Sequence, residues 1–213
     1  MKSFVITIKA IDRSFNAAKR CIDSMPEHNI QMFDAITPKD DPFKMMMDKK
    51  IPIEKFQEEY SYLESCVSAF LSHHTLWEMC AEDNEEYMIF EHDAVAVGTV
   101  PMLMSYDKVI SLGKPSYGKF NTPNFFGPGP LTSKRYFPGA HAYRMKPSGA
   151  RLLIEKAKTS AAPTDVFLCT ANFSWLQEFY PWPVEARDNF STIQRTRGCL
   201  AKHSWNDQYE LIR

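Results

Sequence analysis

The 213 residues contain no CxxC pair, no internal repeat, no low-complexity segment and no apolar run approaching the length of a membrane span, which is about 18 residues. Each absence removes a class of protein. The five cysteines, Cys21, Cys66, Cys80, Cys169 and Cys199, are odd in number and widely spaced, which argues against a disulfide framework and a zinc site. The opening MKSFVITIKAID has too short an apolar run for a signal peptide, so a cytoplasmic protein without membrane insertion is expected. Hydrophobic residues at 44 % and charged residues at 24 % are ordinary globular proportions and argue against disorder. A chain of this length supports one sizeable core, so a single domain over residues 1–213 is expected.

The net charge is −1, but it is unevenly distributed. Residues 1–107 hold ten Lys/Arg against nineteen Asp/Glu, and residues 108–213 hold fifteen against seven. A basic half attracts anions over long range. Mutual neutralisation of the two halves across an internal contact is the alternative.

Ser3 to Ile8 is apolar and β-branched, and the following DRSFNAAKRCIDSM carries an Asp cap with Phe15, Ala18, Ile22 and Met25 at helical spacing. With a second strand over Gln31 to Ile36, this is the βαβ opening of a parallel sheet covered by helices. Residues 37–60 are charged and proline-containing, and are expected to form a long surface excursion with one short helix. Ser61 and Glu64 are spaced as a capping box ahead of a buried helix over 61–81, with Leu63, Cys66, Val67, Phe70, Leu71, His74 and Trp77 as its apolar stripe. Residues 101–112 predict a helix or turn and 117–120 a short strand. The Gly/Pro-rich stretch 121–138 predicts a long loop. Residues 139–145 alternate as a strand, and Pro147 opens a helix with Leu152, Leu153 and Ala157 inward. A last helix is expected to be capped near Thr164 or Asp165, and the tail from Pro181 to wrap back over the site.

The stretch YMIFEHDAVAV (87–97) ends an apolar strand in Glu91, His92 and Asp93. If strand alternation persists, Glu91 and Asp93 share a face, where two carboxylates repel unless a cation sits between them. A hard divalent ion, Mn²⁺ or Mg²⁺, suits such oxygen ligands. The carboxyl end of a strand in an α/β sheet is also where ligands bind. If the backbone turns instead, His92 is itself available to a metal or a ligand.

SCVSAFLSHHTLW (65–77), MIFEHDAV (88–95), GAHAYRMKPSGARLLI (139–154), APTD (162–165) and NFSTIQ (189–194), in that order, together resemble glycosyltransferase family 25, which includes lipooligosaccharide and collagen galactosyltransferases. VITIKAIDRS sits where that family has an INLDR-like start. The resemblance implies a GT-A type nucleotide-sugar-binding α/β fold with a mixed, mostly parallel sheet flanked by helices. It also implies a UDP-sugar donor, a divalent ion, and inverting transfer of a hexosyl or pentosyl group to an acceptor hydroxyl. By position, Glu91 and Asp93 match the ends of the family's acidic motif, and His92 departs from its central aspartate. Ser72 and His73 match a Ser-His pair near the donor, and Tyr143 a strand position that contacts the sugar or packs in the core. Asp165 is the candidate general base, with N-capping as its alternative role, and Asp188 is the runner-up. Lys9, Arg13, Arg195 and Arg197 are available to a diphosphate.

Aromatic residues interleaved with cations in the basic half, among them Phe125, Phe126, Tyr136 and Trp205, suit a nucleic acid. The acceptor is therefore expected to be hydroxymethylated cytosine in phage DNA, with host cytoplasm as the location, ahead of a saccharide of lipopolysaccharide type. A metal-dependent phosphohydrolase using Glu91, His92, Asp93, His73 and His141 is a second enzyme class. A binding module that keeps the fold without the chemistry is the non-enzyme alternative.

Overall fold

The structure is a computed structural model that describes residues 1–56, 61–187, 190–195 and 210–212. The chain begins with β1 (Lys2–Thr7), α1 (Asp12–Asp23), β2 (Gln31–Asp34), α2 (Pro42–Asp48), α3 (Leu63–Asp83) and β3 (Tyr87–Glu91). It continues through β4 (Ala94–Ala96), β5 (Val109–Ser111), β6 (Gly127–Pro130), β7 (Ala142–Met145), α4 (Pro147–Ser160) and α5 (Thr164–Phe167). Four short strands complete it: β8 (Gln177–Tyr180), β9 (Val184–Ala186), β10 (Phe190–Ser191) and β11 (Glu210–Leu211).

Seven strands form one sheet in the order β2-β1-β3-β7-β5-β8-β6. β1 is parallel to β2 and β3, β8 is parallel to β5, and β7 and β6 run against their neighbours. The result is a mixed, mostly parallel α/β sheet flanked by helices.

The centres of β1 and β3, residues 4–6 and 87–90, are apolar without interruption because both faces of the sheet are covered. Alternation divides their side chains between two cores. Phe4, Ile6, Tyr87 and Ile89 join Val67, Phe70, Leu71 and Trp77 of α3 in the larger core. Val5, Met88 and Phe90 join Ala18 and Cys21 of α1 in the smaller one. The chain leaves β1 toward β2 by way of α1, then crosses to the other side of β1 by way of α3 to make β3. Connections that depart in opposite directions open a crevice at the carboxyl ends of β1 and β3.

Several local expectations are corrected. The short helix expected within residues 37–60 is present as α2, but the segment is not a surface excursion, since Met46, Ile51 and Phe56 are buried against α3. The caps differ too, since α1 is preceded by Ile11 and α3 by Tyr62, neither with a side-chain cap, and Ser61 bridges Gln194 instead. The expected helix or turn at 101–112 contains β5, and α5 has only four residues. On α4, Leu153 and Ala157 are buried as expected, whereas Leu152 is 42 % exposed.

The stretch 117–120 holds no strand, and GPGP, read as loop, is edge strand β6. Leu131, in phase with Gly127 and Gly129, donates its N–H to Leu176 O of the β8 side. Pro128 and Pro130 therefore fall at outward positions where no N–H is needed, the one setting in which a strand tolerates proline.

At Gly149 α4 approaches the start of β5 closely: a Cβ there would lie 2.7 Å from Lys108 O and 2.9 Å from Val109 Cγ2. Gly149→Ala is expected to cost about 1–3 kcal/mol through backbone displacement, despite alanine's better helix propensity. The readout is a lower urea midpoint at unchanged denaturant slope.

Candidate functional site

The crevice at the switch point is a cleft of about 570 Å³ including its open mouth. One wall is the end of β1 and the chain after β2, with Thr7 and Thr37 among its polar groups. The opposite wall is α3, whose Ser65, Ser68, Ala69 and Ser72 line it at the i, i+3, i+4, i+7 spacing of one helix face. Larger residues on that face would fill the cleft. Glu91 and His92 form its floor, and Thr192 and Ile193 of the tail cover it, as expected of a tail that wraps back.

Glu91 is held by a buried relay whose direction follows from its donor-only end. Trp77 Nε1–H can only donate, and it does so to Tyr143 Oη at 2.8 Å. The phenol's single proton then goes to His73 Nδ1 at 2.9 Å. The imidazole proton is thereby placed on Nε2, which donates to Glu91 Oε1 at 3.2 Å. Burial lowers the His73 pKa from 6.5 to about 3, opposed only in part by the negative charge of Asp165. The ring is therefore neutral, and its contact with Glu91 is a hydrogen bond rather than an ion pair. Burial also raises the Tyr143 phenol well above 10, so it keeps the proton the relay needs.

The backbone turns at His92 and Asp93 instead of extending β3. Glu91 continues the alternation of Tyr87 and Ile89 toward α3, but Asp93 does not follow it. Asp93 is 7 % exposed and lies near Cys21 of α1. The Cys21 thiol is pushed up to about 12, mainly by burial and secondarily by the charge of Asp93. Glu91 and Asp93 thus occupy opposite sides of the sheet, and the expectation of a shared face gives way to a turn. The turn brings His92 into the cleft, with Nδ1 3.4 Å from Ser14 Oγ and its ring stacked on Phe190 at 5.1 Å. Arg13 also lies over the Phe190 ring at 5.5 Å and pairs with Glu210.

The remaining expected residues are scattered about this centre. Ser72 lines the cleft, but its hydroxyl is spent on Ser68 O and the Ile36 N–H, tying α3 to the chain after β2. Tyr143 reaches the cleft only through His73. Lys9 is exposed, with its backbone N–H on Asp34 Oδ1, and Arg195 lies over the Tyr62 ring. Asp188, Arg197 and Trp205 lie outside the described residues. His141, on the chain leading into β7, is buried beside Gly113 and Gly139, whose added Cβ atoms would meet its ring at 2.5 and 3.2 Å. Its carbonyl accepts the Glu91 N–H.

Asp165 does not line the cleft. It accepts from Tyr117 Oη and from the Gly139 N–H. Burial raises its carboxyl, and these bonds offset the rise only in part. The adjoining Lys134 bonds Tyr117 O at 2.7 Å and lies over the Tyr117 and Tyr136 rings. Among the described residues no group of three or more His, Cys, Asp or Glu is gathered to hold a metal ion.

The features missed from sequence were the small face of α3, legible in retrospect as Ser65, Ser68, Ala69 and Ser72, and Ser14. The Ser14 Oγ accepts the Ile8 N–H at 2.9 Å and sits 3.0 Å from Thr7 Oγ1.

Two measurements check the relay. Tyr143→Phe leaves the Trp77 N–H and His73 Nδ1 without their buried partner, and is expected to cost roughly 1–3 kcal/mol, read by urea unfolding. His73 contributes to acid lability with a definite sign. Above its unfolded value near 6.5 neither state binds the proton; below it the unfolded state does and the native state, at about 3, does not. Stability is therefore lost as pH falls from about 6.5 toward about 3, and His73→Gln is expected to flatten the decline of Tm between pH 6.5 and 4.

Residues 1–111 match the model of glycosyltransferase family 25, described as a lipopolysaccharide biosynthesis protein. The match takes in slightly more than half the chain and, apart from Thr192 and Ile193, the whole cleft lining. No curated protein matches the chain. Among the described residues no helix is long and apolar enough to cross a membrane. The chain belongs to glycosyltransferase family 25, and its class of chemistry is glycosyl transfer.

Proposed function

We propose that the cleft binds a UDP-sugar and that the chain transfers the sugar, with inversion, to a saccharide hydroxyl. The observation that carries this reading is the convergence of Glu91, oriented by a neutral His73, and His92 on the crevice at the carboxyl ends of β1 and β3. Open α/β sheets bind their ligands there.

A divalent ion fits this site only with help from the donor. Glu91 and His92 reach the cleft while Asp93 turns toward α1, so the remaining coordination positions would come from diphosphate oxygens and water, as is usual for Mg²⁺-like ions. Glu91 and His92 are the residues that would hold such an ion. When bound, it would neutralise negative charge on the leaving diphosphate.

The chain's own groups do the rest. His73 fixes the rotamer of Glu91 from behind, and the Phe190 ring fixes the plane of His92. Asp165 lies outside the cleft lining, so the acceptor must enter from the Tyr117 side for its hydroxyl to meet both donor and base; from there Asp165, whose raised pKa makes it a better base than an exposed carboxylate, takes the hydroxyl proton. The acceptor oxygen bonds to the anomeric carbon as the bond to the diphosphate breaks, and the electron pair leaves on UDP. Tyr117 holds the Asp165 carboxylate in place. Thr192 and Ile193 limit the access of water to the donor.

Two points favour a saccharide over DNA. The matched family is described by lipopolysaccharide biosynthesis. Among the described residues, several cations of the basic half are also engaged: Arg144 with Glu86, Lys114 with Glu185, Lys158 with Glu155 and Lys146 with Tyr106 O. A DNA backbone needs such groups available to phosphate.

The test is mass spectrometry of acceptors after incubation with UDP-hexoses or UDP-pentoses and Mn²⁺. The acceptors are a delipidated lipooligosaccharide core and DNA containing 5-hydroxymethylcytosine. Mass gain on the oligosaccharide is expected. Gain on the DNA alone would refute the saccharide assignment. Glu91→Gln and Asp165→Asn are each expected to lower transfer by about 10²-fold or more. Asp93→Asn is expected to retain most activity; equal losses at positions 91 and 93 would refute the division between them.

A further inference from the structure

Beyond the cleft, the same end of the sheet carries four aromatic rings that do not line it. Tyr180 ends β8, and Trp182 follows it. Phe126 immediately precedes Gly127, the β6 residue paired with Tyr180, and Phe120 comes from the preceding loop. Trp182 stands edge-on to both Tyr180 and Phe120, at 4.9 and 5.5 Å, and Phe126 lies 6.0 Å from Tyr180. Phe126 is 85 % exposed and Phe120 37 %.

A buried carboxylate holds this group in shape. Glu178, 1 % exposed, accepts the Trp182 indole N–H on Oε2 at 3.1 Å. On Oε1 it accepts the Thr132 and Ser133 N–H groups at 2.6 and 2.7 Å and the Thr132 hydroxyl at 3.1 Å. Both oxygens are thus used to fix the indole and the chain that follows β6. With its N–H turned inward, Trp182 has only its ring to offer a ligand. Rigid aromatic groups whose orientation is set in advance bind at a lower entropy cost.

The placement is continuous with the cleft. β8 lies three strands from β3, about 14 Å at the usual strand spacing, with Tyr117, Asp165 and His141 between them. We infer that Phe120, Phe126, Tyr180 and Trp182 form a platform for the distal sugar rings of a saccharide acceptor whose terminal hydroxyl reaches Asp165. The inference rests on the transferase reading of the cleft and adds where the acceptor lies. Sugar rings present faces of C–H bonds, whose positive edges suit the negative faces of aromatic rings. The four rings are tilted or perpendicular to one another rather than parallel, which offers separate facets to successive sugars instead of a ladder for stacked bases. The nearby Lys134 is committed to Tyr117 and Tyr136.

Calorimetric titration of the full chain tests this with three probes: a delipidated lipooligosaccharide core, a single-stranded DNA oligonucleotide and UDP-galactose. Phe126→Ala, at an exposed position where folding is not at risk, and Trp182→Ala are each expected to weaken oligosaccharide binding 5- to 30-fold, with UDP-galactose affinity unchanged within twofold. Wild-type affinity for the oligosaccharide in both variants overturns the inference. So does a wild-type chain that binds the DNA and not the oligosaccharide, or binds neither. Loss of oligosaccharide binding in the variants, with no UDP-galactose binding even in wild type, upholds the platform and removes the donor assignment instead.

Discussion

The site depends on one constraint, the burial of β3 on both faces. A strand packed between α1 and α3 must send alternate side chains to opposite cores, so the residue after Phe90 faces α3 whatever its identity. That residue is Glu91, and α3 meets it with His73 rather than with an apolar group. A carboxylate at the rim of a core needs a donor. Since the donor is itself buried, it needs an acceptor behind it, and Tyr143 and Trp77 complete the sequence. The chain of bonds ends in an indole because an indole requires nothing further. Each group in the series is satisfied only in one proton arrangement, which is why a static structure fixes the His73 tautomer.

The fold was legible in the sequence wherever burial dictates pattern. β1, α1, β3, α3 and β7 carry long periodic apolar signals, and all five are present close to their expected bounds. The errors lie where chain geometry, not burial, decides. GPGP has no apolar period and two prolines, so only its position at the sheet edge makes it a strand. Ser61 and Glu64 have the spacing of a capping box, but Ser61 is drawn into a bridge with Gln194, a contact 133 residues distant in sequence. Phe56 lies among charged residues that mark a surface segment, yet it fills space beside α3.

The candidate site was legible in part for the same reason. Glu91 and His73 follow from strand alternation and helix phase. Asp93 does not, because a turn at His92 reverses the parity on which its assignment rested. The turn exchanges the roles of the two residues: the imidazole enters the cleft and the carboxylate goes to the α1 side. The small face of α3 was obscured by its apolar face, since packing signals outnumber absences of bulk. A wall of Ser and Ala is informative only once the opposite wall is known.

The uneven charge of the two halves takes on a different meaning once the contacts are known. Arg144 of β7 reaches Glu86 just before β3, and Arg13 of α1 reaches Glu210 of β11, so each half supplies partners for the other. Lys114 and Arg187 both turn to Glu185, and these surface pairs are individually worth little. Their effect is on the field, not on stability: a cation beside a carboxylate attracts a distant polyanion far less than an isolated one. What remains at the carboxyl end of the sheet is a polar cleft at one side and aromatic rings at the other, with Asp165 between them. On the proposed reading the diphosphate lies at the polar side and the sugar rings of the acceptor at the aromatic side, so the two ends of the surface meet chemically different parts of one reaction.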